Sequence, residues 1–149
     1  MEVTGTIASL LHGKGATLWS VPPDTTVFDA ISLMAGKNIG ALLVMNGDTL
    51  VGLVSERDYT RKVALQGKSS KQTLVREIIS SPTVVATRTH TVAQCMRLMT
   101  EHRVRHLPVL EGSRVIGLVS IGDLVNWTIS AQDMALDQLE GYITGKYPG

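Results

Sequence analysis

Ser55 and Asp58 stand three positions apart, and so do Ser120 and Asp123. In both places the pair directly follows a Gly-Leu-Val phrase, Gly52-Leu53-Val54 and Gly117-Leu118-Val119. At the start of a helix a Ser and an acid at this spacing form a capping box, each side chain meeting the other's backbone N–H. The same carboxylate can accept hydrogen bonds from both cis hydroxyls of a ribose. A helix start fed by a strand also offers free N–H groups and a favourable dipole to an anion. The acid is Asp in both copies, where Glu or Gln is the usual capping partner, so ligand binding stands beside capping. The two roles are compatible.

The copies differ in charge around this pair. Arg57 lies inside the first phrase and Gly122 holds its place in the second, while Arg61 and Lys62 follow one turn after Arg57. A guanidinium at a helix start beside a ribose is placed to meet phosphate. The alternative is a solvated helix face with charge pairs four residues apart. Conversely, His102-Arg103-Val104-Arg105-His106 is basic where the first copy reads Lys37-Asn38-Ile39-Gly40-Ala41. By their charge alone Arg105 and His106 read as part of a basic surface turn.

These pairs recur because the chain is a tandem duplication. Gly52 and Gly117 are 65 residues apart, and the same offset relates Thr26-Val27 to Thr91-Val92, Leu33-Met34 to Leu98-Met99, and Leu42 and Val44 to Leu107 and Val109. Each copy opens with a short apolar strand, Leu18 to Val21 or Val84 to Thr87. A helix follows, with Val27, Ala30, Ile31 and Met34 at helical spacing, matched by Val92, Cys95, Met96 and Met99. Two strands then form a hairpin, Ala41 to Met45 with Leu50 to Val54 and His106 to Leu110 with Val115 to Val119, each turned through a Gly. A second helix starts after Ser55 and after Ser120. The unit is β-α-β-β-α, too small to bury its own sheet, which predicts that two copies pack on one another.

The expected organisation is an N-terminal helical extension over 1–16, repeat 1 over 17–66, a linker with a short helix over 67–81, repeat 2 over 82–130, and a C-terminal helix and tail over 131–149. Gly13-Lys14-Gly15 superficially suggests a phosphate loop, but the rest of that pattern is absent. Cys95 falls on the apolar stripe of its helix and reads as a structural thiol. His102 and His106 straddle a helix-to-strand change, so no metal site is expected. No nucleophile–base or acid–base constellation is evident, and the chain is not expected to be an enzyme.

Composition narrows the function classes. The 149 residues carry 14 Lys and Arg against 13 Asp and Glu, a formal charge of +1, which disfavours a generic nucleic-acid or membrane surface. A single cysteine excludes an internal disulfide, and the longest apolar run, Ile39 to Met45, is too short to span a bilayer. With no basic leader at the start, a cytoplasmic location is expected.

Two β-α-β-β-α repeats, each ending Gly-Leu-Val-Ser-x-x-Asp, with Leu107-Pro108-Val109 on the middle strand of the second, resemble a CBS domain pair, or Bateman module. The resemblance covers roughly Trp19 to Ile129. It implies an α/β fold of two repeats packed with pseudo-two-fold symmetry, with helices added at both ends. It also implies ribose binding by Ser55 with Asp58 and by Ser120 with Asp123. Adenine would lie against Thr17, Leu18, Ile39, Gly40 and Ala41 in one site, and against Thr83, Val84, Val104, Arg105 and His106 in the other. The resemblance also implies that residues just before the Leu107-Pro108-Val109 strand reach phosphate, which makes Arg105 and His106 phosphate candidates. The implied ligands are AMP, ATP or NAD(H), with no catalytic cofactor. With Arg57 and Arg61 beside one pair, that site would suit a ligand with more phosphate, and the other AMP. Such modules regulate partners and form flat homodimers, so a homodimer and a separate effector protein are expected. The competing expectation is a structural dimerisation module whose nucleotide pockets are vestigial.

Overall fold

The computed structural model describes residues 5–15, 17–80 and 84–131. Helix α1 (Ile7–Lys14) precedes β1 (Ser20–Val21), α2 (Val27–Lys37), β2 (Ala41–Asn46), β3 (Thr49–Ser55) and α3 (Glu56–Tyr59), which continues as a π-helical turn over Thr60–Ala64. After a 3-10 turn at Val75–Glu77 come β4 (Ala86–Thr87), α4 (Val92–His102), β5 (His106–Glu111) and β6 (Arg114–Ser120). A further helix, α5, starts at residue 121 and is helical through 131. The C-terminal helix and tail expected beyond that point, and Thr83, lie outside the described residues.

The duplication is visible bond by bond. Each repeat forms a three-stranded sheet, in the orders β1-β2-β3 and β4-β5-β6, with the first pair parallel and the second antiparallel. Val21 pairs with Val44 and Ala86 with Val109, the same register 65 residues on. Even the register shift recurs, between Val44 and Met45 and between Val109 and Leu110. The hairpins turn through Gly47 and Gly112, both at positive φ near 60°, which glycine adopts without steric penalty. Thr26 and Thr91 cap α2 and α4 by accepting from Asp29 and Gln94 N–H.

The first strands are shorter than their apolar patterns suggest. In repeat 1 the Leu43 N–H donates to the Trp19 carbonyl, extending the contact between β1 and β2. Its counterpart 65 residues on is Pro108, which has no N–H to give, and β4 begins only at Ala86. Helix α2 buries Val27, Ala30 and Met34, and α4 buries Val92, Cys95 and Met99, as helical spacing requires.

Each repeat is completed by a segment that precedes the other in sequence. Ile7 and Leu10 of α1, with Leu11, join Val92, Leu107 and Val119 in the core of repeat 2. Val75 and Ile78, with Ile79, fill the same place against Val27, Leu42 and Val54 of repeat 1. Backbone bridges seal both joints, Thr6 with Thr91 and Thr26 with Leu74. The helix expected near Leu74 shrinks to one 3-10 turn because its N–H groups are drawn elsewhere. Val75 donates to the Thr25 carbonyl and Arg76 to that of Pro23. The exchange ties both ends of the chain's first half to its second.

Candidate functional site

Both Ser-x-x-Asp phrases form the capping box. Ser55 N–H and Oγ each donate to Asp58 Oδ2 at 2.9 Å, and Asp58 N–H donates back to Ser55 Oγ at 3.1 Å. Ser120 N–H donates to Asp123 Oδ2 at 2.8 Å and Asp123 N–H to Ser120 Oγ at 3.0 Å. The helix starts are also tied to the middle strands: Glu56 N–H donates to the Gly40 carbonyl at 3.1 Å, and Ile121 N–H to the Arg105 carbonyl at 2.9 Å. Carboxylate and strand start are therefore held at fixed positions by backbone bonds, whichever ligand arrives.

Two clefts open at these places, and each is built from both repeats. The first takes Ala41, Ser55, Arg57 and Asp58 from repeat 1 and Val84, Val104, Arg105 and His106 from repeat 2. The second takes His106, Ser120 and Asp123 from repeat 2 and Thr17, Leu18, Ile39, Gly40 and Ala41 from repeat 1. Ala41 and His106 are equivalent residues at the starts of β2 and β5, and both line both clefts. Arg61 is exposed on the π-helical turn and lines neither.

The charges are divided unequally. Arg57 and Arg105, read from sequence as features of separate copies, face the same cleft, where Arg103 joins them. In the second cleft Lys14 is the one Lys or Arg among the described residues. The first cleft is the smaller, about 180 Å³ against about 340 Å³.

Each aspartate is also met by a lysine. Lys62 Nζ lies 3.2 Å from Asp58 Oδ1 and donates to the Ile78 carbonyl at 2.8 Å, while Ser80 Oγ donates to the same Oδ1 at 3.4 Å. The π-helical turn keeps Val63 buried while Lys62 reaches back four residues to Asp58. In the second cleft Lys14 Nζ lies 2.6 Å from Asp123 Oδ2 and donates to the Leu118 carbonyl at 2.7 Å. Burial works to raise the Asp123 pKa, but the hydrogen bonds from Lys14 and Ser120 outweigh it and hold the carboxyl below its ordinary range. Burial lowers the His106 pKa, and Lys14 and Arg105 push the same way against Asp123 and Asp58. Burial pushes the Cys95 thiol up to about 11, which fits an inert core residue. Among the described residues no group of three His, Cys, Asp or Glu is placed to hold a metal.

Lys14, Trp19, Asn38 and Arg103 line the clefts without having been expected there. The pattern that reveals Lys14 lies in α1: Ile7, Leu10 and Leu11 repeat the spacing of Val75, Ile78 and Ile79. That match places α1 on repeat 2 and carries Lys14 to Asp123.

Two cross-built clefts on a duplicated β-α-β-β-α scaffold define a paired-repeat module. A CBS domain model matches residues 17–65 and 75–130, and the chain belongs to that family. The mitochondrial CBS domain-containing protein CBSX3 of Arabidopsis thaliana is 39% identical over 161 residues, covering 99% of this chain and 78% of that protein. A putative signal-transduction protein with CBS domains from Burkholderia ambifaria is 50% identical, with a TM-score of 0.82 over 86% of this chain and 96% of that one. The CBS domain protein PAE2072 of Pyrobaculum aerophilum, solved in complex with AMP, is 25% identical, with a TM-score of 0.70 over 80% of this chain and 89% of that one. Among the described residues no helix is long and apolar enough to cross a membrane.

Proposed function

We propose that this chain is a regulatory module that binds adenine nucleotides in its two clefts and modulates a separate partner protein, without catalysis of its own. The carrying observation is that each cleft joins the Ser-Asp pair of one repeat to the strand starts of the other. A nucleotide held by its ribose at one end and its base at the other bridges the repeats and biases their relative arrangement. A partner that prefers one arrangement then responds to the ligand, because coupling requires only differential affinity for two states. The AMP complex of the Pyrobaculum relative supports an adenine nucleotide as ligand. Three arginines at the first cleft suit ATP or NAD(H), whose phosphates need more cations. The second cleft suits AMP.

Helix α5 exposes Ile121, Val125 and Ile129, four residues apart, a row that suits a homodimer packed through its helices. Light scattering should give twice the chain mass, and substituting Val125→Glu should return the monomer. The sole cysteine is buried and reduced, which suits the cytoplasm and equally the mitochondrial compartment named for the Arabidopsis relative.

A thermal-shift screen against AMP, ADP, ATP, NAD and NADH tests the reading, because a ligand of the folded state raises its melting temperature. A rise with one or two nucleotides, lost in Asp58→Ala or Asp123→Ala, is expected. No rise at millimolar concentration would overturn it in favour of a dimerisation module with vestigial pockets.

A further inference from the structure

In repeat 1 the lysine on the cleft aspartate comes from the same helix, one turn on: Lys62 reaches Asp58. Its counterpart in repeat 2, 65 residues on, is Trp127, which cannot supply an ammonium. Trp127 instead packs where Gly5 enters α1, so tightly that a β-carbon on Gly5 would lie 2.5 Å from the indole. The segment held there leads through α1 to Lys14, whose ammonium takes the Asp123 carboxylate. Two unrelated sources thus place a lysine on equivalent aspartates, Lys62 on Oδ1 of Asp58 and Lys14 on the capping-box oxygen Oδ2 of Asp123. The second source lies on a separate element, α1.

We propose that Lys14 is the phosphate-recognising residue of the second cleft, exchanged from Asp123 to the ligand's phosphate when ribose hydroxyls take the carboxylate. This rests on the nucleotide-binding function proposed above. The cleft without ligand is already neutralised, one lysine against one aspartate, and no other Lys or Arg among the described residues lines it. A nucleoside whose ribose takes Asp123 Oδ2 displaces the ammonium from its 2.6 Å ion pair and gives it no new anion, leaving it the Leu118 carbonyl at 2.7 Å. A nucleotide breaks the same pair and re-forms a charge-assisted contact with its phosphate. Lys14 is 40% exposed, on a long flexible stem, so the swing requires no opening of the core. The consequence is a cleft that discriminates AMP from adenosine through one residue, and whose occupancy changes what holds the end of α1.

Trp19 lines this cleft and not the other, so its indole N–H resonance, assigned with Trp19→Phe, reports the second site alone. Titrating 15N-labelled protein with AMP and with adenosine should show AMP the tighter ligand by roughly tenfold or more, the worth of about one charge-assisted contact. In Lys14→Met the AMP preference should collapse, with AMP weakened and adenosine unchanged or tightened, since the competitor for Asp123 is gone. Lys14→Arg should restore the preference. An AMP-to-adenosine ratio in Lys14→Met equal to that of the unaltered protein would overturn the proposal while leaving nucleotide binding intact. If neither ligand moves the Trp19 signal of the unaltered protein, nucleotide binding at this cleft fails first, and the proposal with it.

Discussion

Leu11 lies so close to the α-carbon of Gly117 that a β-carbon there would stand 2.6 Å from its Cδ2. Gly52, the equivalent residue in repeat 1, is crowded by the Ser80 carbonyl at 2.8 Å. These glycines are where each repeat accepts the segment that precedes the other, so the Gly-Leu-Val-Ser phrase carries a packing demand as well as a candidate site. The obstacles differ in kind. A leucine tip can turn aside, whereas Ser80 is held by its own N–H to the Leu53 carbonyl and cannot. Gly52→Ala should therefore destabilise by about 2–3 kcal/mol, and Gly117→Ala by about 1 kcal/mol. Urea unfolding of the two variants measures the difference, and the reverse order would refute this packing of the joints.

The first cleft should be the polyphosphate site. Arg57 and Arg105 come from different repeats and face one cavity, so either change to Ala should weaken ATP more than AMP, by roughly tenfold for each guanidinium–phosphate bond removed. Titration calorimetry with both ligands reads the ratio. Equal weakening of ATP and AMP would mean that the arginines serve the general field and touch no outer phosphate.

Arg103, in the same cleft, ends α4 in the left-handed region at φ 54°, where a side chain costs about 1 kcal/mol or more relative to glycine. Asn38 holds the same conformation in repeat 1 and tolerates it better. Arg103→Gly should raise stability by about 0.5–1 kcal/mol while weakening ATP at the first cleft. A gain in melting temperature with unchanged ATP affinity would show that the guanidinium plays no part in binding.

Much of this fold could be read from the duplicated phrases, because period and offset are properties of the chain alone. The strands, the two capped helices and both hairpins follow from Val27, Met34, Gly47 and their partners 65 residues on. The crossing over of the repeats is not encoded in that offset. Ile7 matches Val75 and Leu10 matches Ile78 at a different spacing, so the exchange is invisible to a search in one register. For the same reason Ser55 and Ser120 were legible as candidates, and both line clefts, while the strand starts that face each of them were not assignable to a particular cleft. Lys14 escaped because its importance lies in where α1 docks. The shortened β4 depends on Pro108 lacking one N–H, a detail that an apolar pattern does not register.

His106 sets an acid limit on stability. Burial, helped by Lys14 and Arg105, lowers its pKa, with Asp123 and Asp58 pulling the other way. The folded chain therefore resists a proton that the unfolded chain accepts near the ordinary histidine value of about 6.5. Between the lowered pKa and that value the unfolded state binds more protons, so stability rises with pH through this window, is complete above it, and is lost as pH falls. Asp123, also lowered, acts in the same direction in a separate window below the ordinary carboxylate value of about 3.9. Urea midpoints taken from pH 7.5 down to pH 4.5 should fall, and His106→Asn should flatten that fall. Asp123→Asn should leave the slope above pH 5 nearly unchanged, because its own window lies lower and its carboxylate only modestly offsets the burial of His106. A slope that survives His106→Asn would place the titrating group elsewhere.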